Sequence, residues 1–287
     1  MWIVYAVGSA FFAGITSILA KCGIKKTDSN VATAIRTVIV LIFSWLIVFI
    51  TDSVRTISDI PLKTWVFLIL SGLATGASWL CYFHALQIGD INKVVPIDKS
   101  STVLSIILAV IILHEKISCV RIVAVVLIAI GTYLMIQKKE SSENKDTKNK
   151  SWILYAFGSA IFASLTAILG KIGITGIESN LGTAIRTFVV LVMAWIMVAV
   201  TGKMGTVKSI PRKEMLLICL SGIATGTSWL CYYKALQDGL ACVVVPIDKL
   251  SILVTIVFSY VVFKEKLTTK AGIGLVLIVA GTLAMLL

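Results

Sequence analysis

The chain has 287 residues, of which 58% are hydrophobic and 14% charged, against roughly 45–50% and about 25% in an ordinary soluble domain. A mean hydropathy of +1.00 excludes a water-soluble enzyme, a nucleic-acid-binding domain and a disordered scaffold, because a globule of this size cannot hide so much apolar surface. The formal net charge of +12 then reads as loop charge on a membrane protein, not as a polyanion-binding face.

Taken in chain order, the first residues carry no basic stretch and no small-residue cleavage site, so 2–20 reads as a retained first span. Further apolar runs follow at 31–50, 63–87, 92–113 and 119–137, each long enough for a hydrocarbon core of about 30 Å at roughly 20 residues per crossing. Residues 138–151, KKESSENKDTKNKS, form the one long polar stretch and read as a linker. The sequence then begins again. Trp152 repeats Trp2, Arg186 repeats Arg36, Pro246 repeats Pro96 and Gly281 repeats Gly131, all at an offset of 150 without a gap. Across 2–137 and 152–287 there are 62 identities in 136 positions, which is a duplication. The second set of spans falls at 152–170, 181–200, 213–237, 242–263 and 269–287.

These runs predict helices, since membrane strands need only about 10 residues and alternate polar with apolar. The expected fold is an all-α polytopic membrane protein of ten transmembrane helices. Its domains are a first five-helix repeat over 1–137, the linker over 138–151 and a second repeat over 152–287. Five spans is an odd number, so direct sequence repeats insert with opposite orientation and form two inverted repeats. The loops on the Met1 face hold six Lys and Arg, and those on the linker face sixteen. That bias predicts a cell-membrane protein with a cytoplasmic linker and both termini outside.

An ionisable side chain at the centre of a span costs about 2.5–3.5 kcal/mol on insertion scales, so each is a candidate for function. VVPIDK occurs at 94–99 and again at 244–249. It places Asp98, Lys99, Asp248 and Lys249 a few residues into the fourth and ninth spans, while Arg36 and Arg186 lie at matching depths in the second and seventh. Arg36 can pair with Asp98, and Arg186 with Asp248, as two charged clusters lining or gating the ends of a path. Snorkelling to the interface is the structural alternative. The blocks SGLATGASWLCY at 71–82 and SGIATGTSWLCY at 221–232 carry Gly72 with Gly76 and Gly222 with Gly226, the small-xxx-small spacing of close helix packing. The same helices bring Thr75, Ser78, Trp79 and Tyr82, with Thr225, Ser228, Trp229 and Tyr232, to positions able to meet a solute.

Cys22, Cys81, Cys119, Cys219, Cys231 and Cys242 show no ligand spacing and are expected as buried thiols in helices. His84 reads as a solvated or capping residue and His114 as an interfacial one. No metal, cofactor or catalytic residue is expected, and the chain does not read as an enzyme.

The two repeat endings, LHEKISCVRIVAVVLIAIGTYLM at 113–135 and FKEKLTTKAGIGLVLIVAGTLAM at 263–285, resemble the helix–Glu–helix–Gly ending of EamA-type repeats in the drug/metabolite transporter superfamily. The likeness covers nearly the whole chain. It implies a secondary transporter working by alternating access around a central cavity, with the fifth helix of each half peripheral. The Asp-Lys pairs after the fourth-span prolines depart from the family's apolar continuation. Four in-span cations against two Asp leave the region positive by two, which favours amino-acid-like or other polar and anionic metabolites. The alternatives are a multidrug or cation exporter, and a lipid-carrier flippase or non-transporting membrane partner. Expected partners are the lipid bilayer, a small-molecule substrate and a proton or other coupling ion, but no nucleic acid, with the protein a monomer or homodimer.

Overall fold

The computed structural model describes residues 1–23, 27–88, 94, 97–135, 151–263 and 268–287. Pro96 and residues 138–150 of the expected linker lie outside them. Among the described residues the first half of the chain forms helices α1 (Trp2–Gly23), α2 (Ser29–Ile50), α3 (Leu62–Ile88), α4 (Ser101–Ile112) and α5 (Cys119–Met135). The second half forms α6 (Ser151–Ile174), α7 (Ser179–Val200), α8 (Arg212–Asp238), α9 (Ala241–Lys249), α10 (Ser251–Phe263) and α11 (Thr269–Ala284). No strand occurs among these residues. Among the described residues seven stretches are long and apolar enough to cross a membrane, one of them running from α9 into α10, and α5 and α11 are shorter apolar helices.

Local chemistry sets the helix ends. The Asp28 side chain accepts from the Asn30 and Val31 amides at the start of α2, and Glu178 accepts from Leu181 at the matching start of α7. Both helices stop against left-handed residues, Asp52 (φ 53°) and Gly202 (φ 68°), 150 positions apart. Short 3-10 helices, Ser53–Asp59 and Met204–Ser209, follow where the sequence promised only loops. The expected span over 242–263 crosses as the single apolar stretch Ala241–Phe258, but its helix is interrupted at Leu250. α9 contains Pro246, which has no amide to donate, and it closes with the Leu250 amide on the Ile247 carbonyl at 2.9 Å before α10 begins.

Packing exchanges partners between the halves. α1 lies along α8 and α3 along α6; α2 meets α7; α1 touches α10 as α6 touches α4. The paired glycines permit the closest approaches. A Cβ on Gly72 would sit 2.6 Å from Val189 and one on Gly76 2.5 Å from Met193, both on α7. Gly222 and Gly226 on α8 stand likewise against Ile39 and Phe43 on α2. α5 and α11 pack on each other through Gly131, Gly274 and Gly281, leaving Val123 and Val276 exposed on their outer sides. All six cysteines lie in helices and are free, but only Cys242 is buried; Cys119 is exposed and the other four are half-buried. Cys119 opens a short peripheral helix, where no partner covers it.

Candidate functional site

Two aspartates within the expected spans bridge the halves. Asp248, near the end of α9, accepts a 2.6 Å bond from Ser9 Oγ on α1. The Ser9 carbonyl in turn accepts from Ser228 Oγ on α8 at 3.0 Å. The repeat copies the arrangement: Ser159 Oγ on α6 donates to Asp98 at 2.7 Å, and Ser78 Oγ on α3 donates to the Ser159 carbonyl at 3.1 Å. Ser9 and Ser159 are fully buried. In each bridge the carboxylate belongs to one half and the serine that holds it to the other.

The arginines behave differently from each other. Arg186 is 2% exposed. Its Nε donates to Ser71 Oγ at 3.0 Å and its Nη2 to Thr75 Oγ1 at 2.6 Å, while the guanidinium lies 5.1 Å from the Trp229 ring and 4.9 Å from the Tyr233 ring. Gly170 makes room for this packing, since a Cβ there would fall 2.6 Å from the Tyr233 ring. Arg36, its counterpart, is half-buried and donates to Thr33 Oγ1 within its own helix at 3.3 Å. Among the described residues no ion pair joins Arg36 to Asp98 or Arg186 to Asp248. Similar depth did not bring them together, because α7 packs on α2 and α3 whereas α9 packs on α1 and α4.

A cavity of about 310 Å³ lies between the halves. Thr75, Ser78 and Trp79 of α3 line it, with Arg186 of α7, Ser228, Trp229 and Tyr232 of α8, and Asp248 and Lys249 of α9. Arg36, Asp98, Lys99, Tyr82 and Thr225 are not among its walls. Lys99 is exposed, Tyr82 packs beside Trp152, and Thr225 Oγ1 donates to Thr16 Oγ1 at 3.2 Å. Tyr233, Thr166 and three alanines, Ala13, Ala163 and Ala167, complete the walls; sequence reading missed these. His84 sets its ring edge-on to Tyr155 at 4.4 Å, and His114 forms a left-handed turn.

Polar networks clamp the halves at both ends of the molecule: on the linker side Glu214 of α8 accepts from the Thr27 amide and hydroxyl at 3.0 and 2.6 Å, and a second network lies on the Met1 side. There Glu115, on the loop between α4 and α5, accepts from the Ala241 and Cys242 amides that open α9 at 2.7 and 2.9 Å, and from Lys171 Nζ at 2.8 Å. Lys171 also reaches the Gly239 carbonyl, and Gln237 donates to the Ile174 and Ile177 carbonyls. Burial pushes the Glu115 carboxyl up, but Lys171 and the two amides together outweigh it and hold the pKa below its ordinary 4.5. Trp2 packs on Gly239, so this end lies on the Met1 side. Thr183, Ile185 and Arg186 near it are buried, whereas Thr33, Ile35 and Arg36 at the other end are half-buried.

A model of the EamA-like transporter family matches residues 1–137 and again 150–287. A Sinorhizobium protein described as an uncharacterized transporter in the cobO 3' region is 46% identical over 134 residues, 47% of this chain and 95% of that protein. That relative therefore has about the length of one half. A crystal structure of a protein with 16% identity superposes with a TM-score of 0.74 over 97% of this chain and 94% of the other, a likeness of fold.

Proposed function

The chain belongs to the EamA-like transporter family and is a membrane transporter, and from that premise we propose that it is a secondary carrier of small polar or anionic metabolites. It works by alternating access between two five-helix halves, 1–137 and 152–287, inserted in opposite orientations and joined by the linker. The observation that carries this reading is the cavity between the halves, walled by polar side chains of both. Exchange of packing partners between the halves supports the inversion, as does a relative with the length of one repeat. By the loop charges the linker is cytoplasmic, so the Glu115 network faces the outside and the Glu214–Thr27 contact the cytoplasm.

The two Asp–Ser bridges supply the moving parts of such a carrier. Each joins helices of different halves, so rocking one half against the other must stretch or remake a buried charge-assisted bond. Replacing Asp248 or Asp98 by Asn keeps the shape and removes the charge. In liposomes containing the purified protein, each substitution abolishes uptake of a labelled organic anion, and undiminished uptake by both variants at equal protein content would refute the role. A cation exporter is the weaker reading, because the Trp229 ring is already taken by Arg186.

A further inference from the structure

Resting on the transporter reading, we infer that the solute is a small monocarboxylate lacking a positive group, and that the unpaired edge of Arg186 is its binding point. A guanidinium offers five N–H donors in a fixed plane, two parallel pairs of which fit a carboxylate. In Arg186 the edge made by Nε and Nη2 is occupied by Ser71 and Thr75, one turn apart on α3. The edge made by Nη1 and the second Nη2 hydrogen remains, and Nη1 is buried without a hydrogen-bond partner. Such an atom is costly unless something pairs it part of the time. The plane cannot turn to find a partner elsewhere, because the Trp229 and Tyr233 rings pack against it.

Charge selects among anions. Among the described residues the cavity wall carries Arg186 and Lys249 against Asp248, which leaves one positive charge. A monoanion cancels it. A zwitterion leaves it uncancelled, and a phosphate dianion overshoots by one, so both match the wall's charge less well than a monoanion. Within monoanions, a carboxylate meets a guanidinium fork through two parallel N–H···O bonds. The rest of the solute meets Trp79 and the alanine surfaces of Ala13, Ala163 and Ala167, which suit a flat apolar body. Arg36 has no comparable setting, so one anion binds per carrier. Nη1 is covered in this conformation, so the carboxylate pairs it only as the neighbouring wall yields, which ties recognition to the conformational step.

The test uses four probes of similar body and different charge on the purified full-length protein: phenylacetate, phenylalanine, phenethylamine and phenyl phosphate. Binding is read as a rise in unfolding temperature in detergent, and transport as counterflow in liposomes. Phenylacetate raises the unfolding temperature at concentrations where the other three do not, and R186K weakens its apparent affinity at least tenfold. Equal stabilisation by phenylalanine or phenyl phosphate overturns the inference, as does absence of any effect of phenylacetate, or an R186K protein that binds it like the wild type. If R186K does not fold, the wild-type selectivity decides alone. Selective phenylacetate binding with no solute crossing the membrane would instead sink the transporter reading and leave the binding site standing.

Discussion

The Glu115 carboxylate, aimed by the left-handed turn at His114, joins an ammonium and two helix-opening amides, all in the other half of the chain. Because its folded pKa is depressed, its contribution is fully present above the unfolded value of 4.5 and is lost as pH falls through the lower folded value. The unfolding temperature of the wild type therefore drops on acidification below about pH 4, and E115Q loses that part of the drop. At neutral pH E115Q leaves Lys171 short of its partner and costs on the order of 3 kcal/mol. Cys242, buried where Glu115 grips α9, reports that grip: with the other five cysteines replaced, maleimide labels it faster in E115Q. At this scale the sequence showed which residues were expensive but not who holds them. In-span charges at Asp248 and Arg186 are conspicuous, whereas Ser9, Ser71 and Tyr233 are ordinary helix residues whose roles arise only from contacts across the halves. Ser9 and Ser159 did carry a signal, identity at the 150-residue offset, though many packing positions share it.

Helices were the most legible elements, since a run of apolar residues must satisfy its backbone internally whatever its neighbours do. Apart from the start of the span over 92–113, observed ends fall within a few residues of the apolar boundaries, as with 181–200 against Ser179–Val200. Two features escaped. The 3-10 turns after α2 and α7 depend on left-handed residues of different type, Asp52 and Gly202, and the break at Leu250 depends on how the chain leaves Pro246. The glycine spacing spoke for close packing at 72 and 76, and the least forgiving contact lies at Gly131, whose Cβ would come 2.6 Å from the Gly274 carbonyl. There backbone meets backbone and no side chain can yield. G131A consequently destabilises by about 1–3 kcal/mol, seen as a lower unfolding temperature, while the KM for a transported solute stays within twofold because the α5–α11 pair is remote from the cavity.

For the whole molecule, partner exchange has a consequence for assembly. α1 finds its long contact on α8 and α3 on α6, so a half on its own leaves Ser9 or Ser159 facing lipid without the helix that shelters it. Residues 1–137 and 152–287 produced as two chains in one cell should co-purify and transport, whereas either alone should be degraded; co-purification failing would show that the connector does more than tether. The short helix α9 adds a mechanical consequence. Glu115 grips its first residue and Asp248 sits seven residues on, about 10 Å along a rod at 1.5 Å per residue. A rod transmits displacement both ways. A solute that shifts Asp248 must load the grip at Glu115, and by thermodynamic reciprocity whatever loosens that grip changes the affinity for the solute by the same factor.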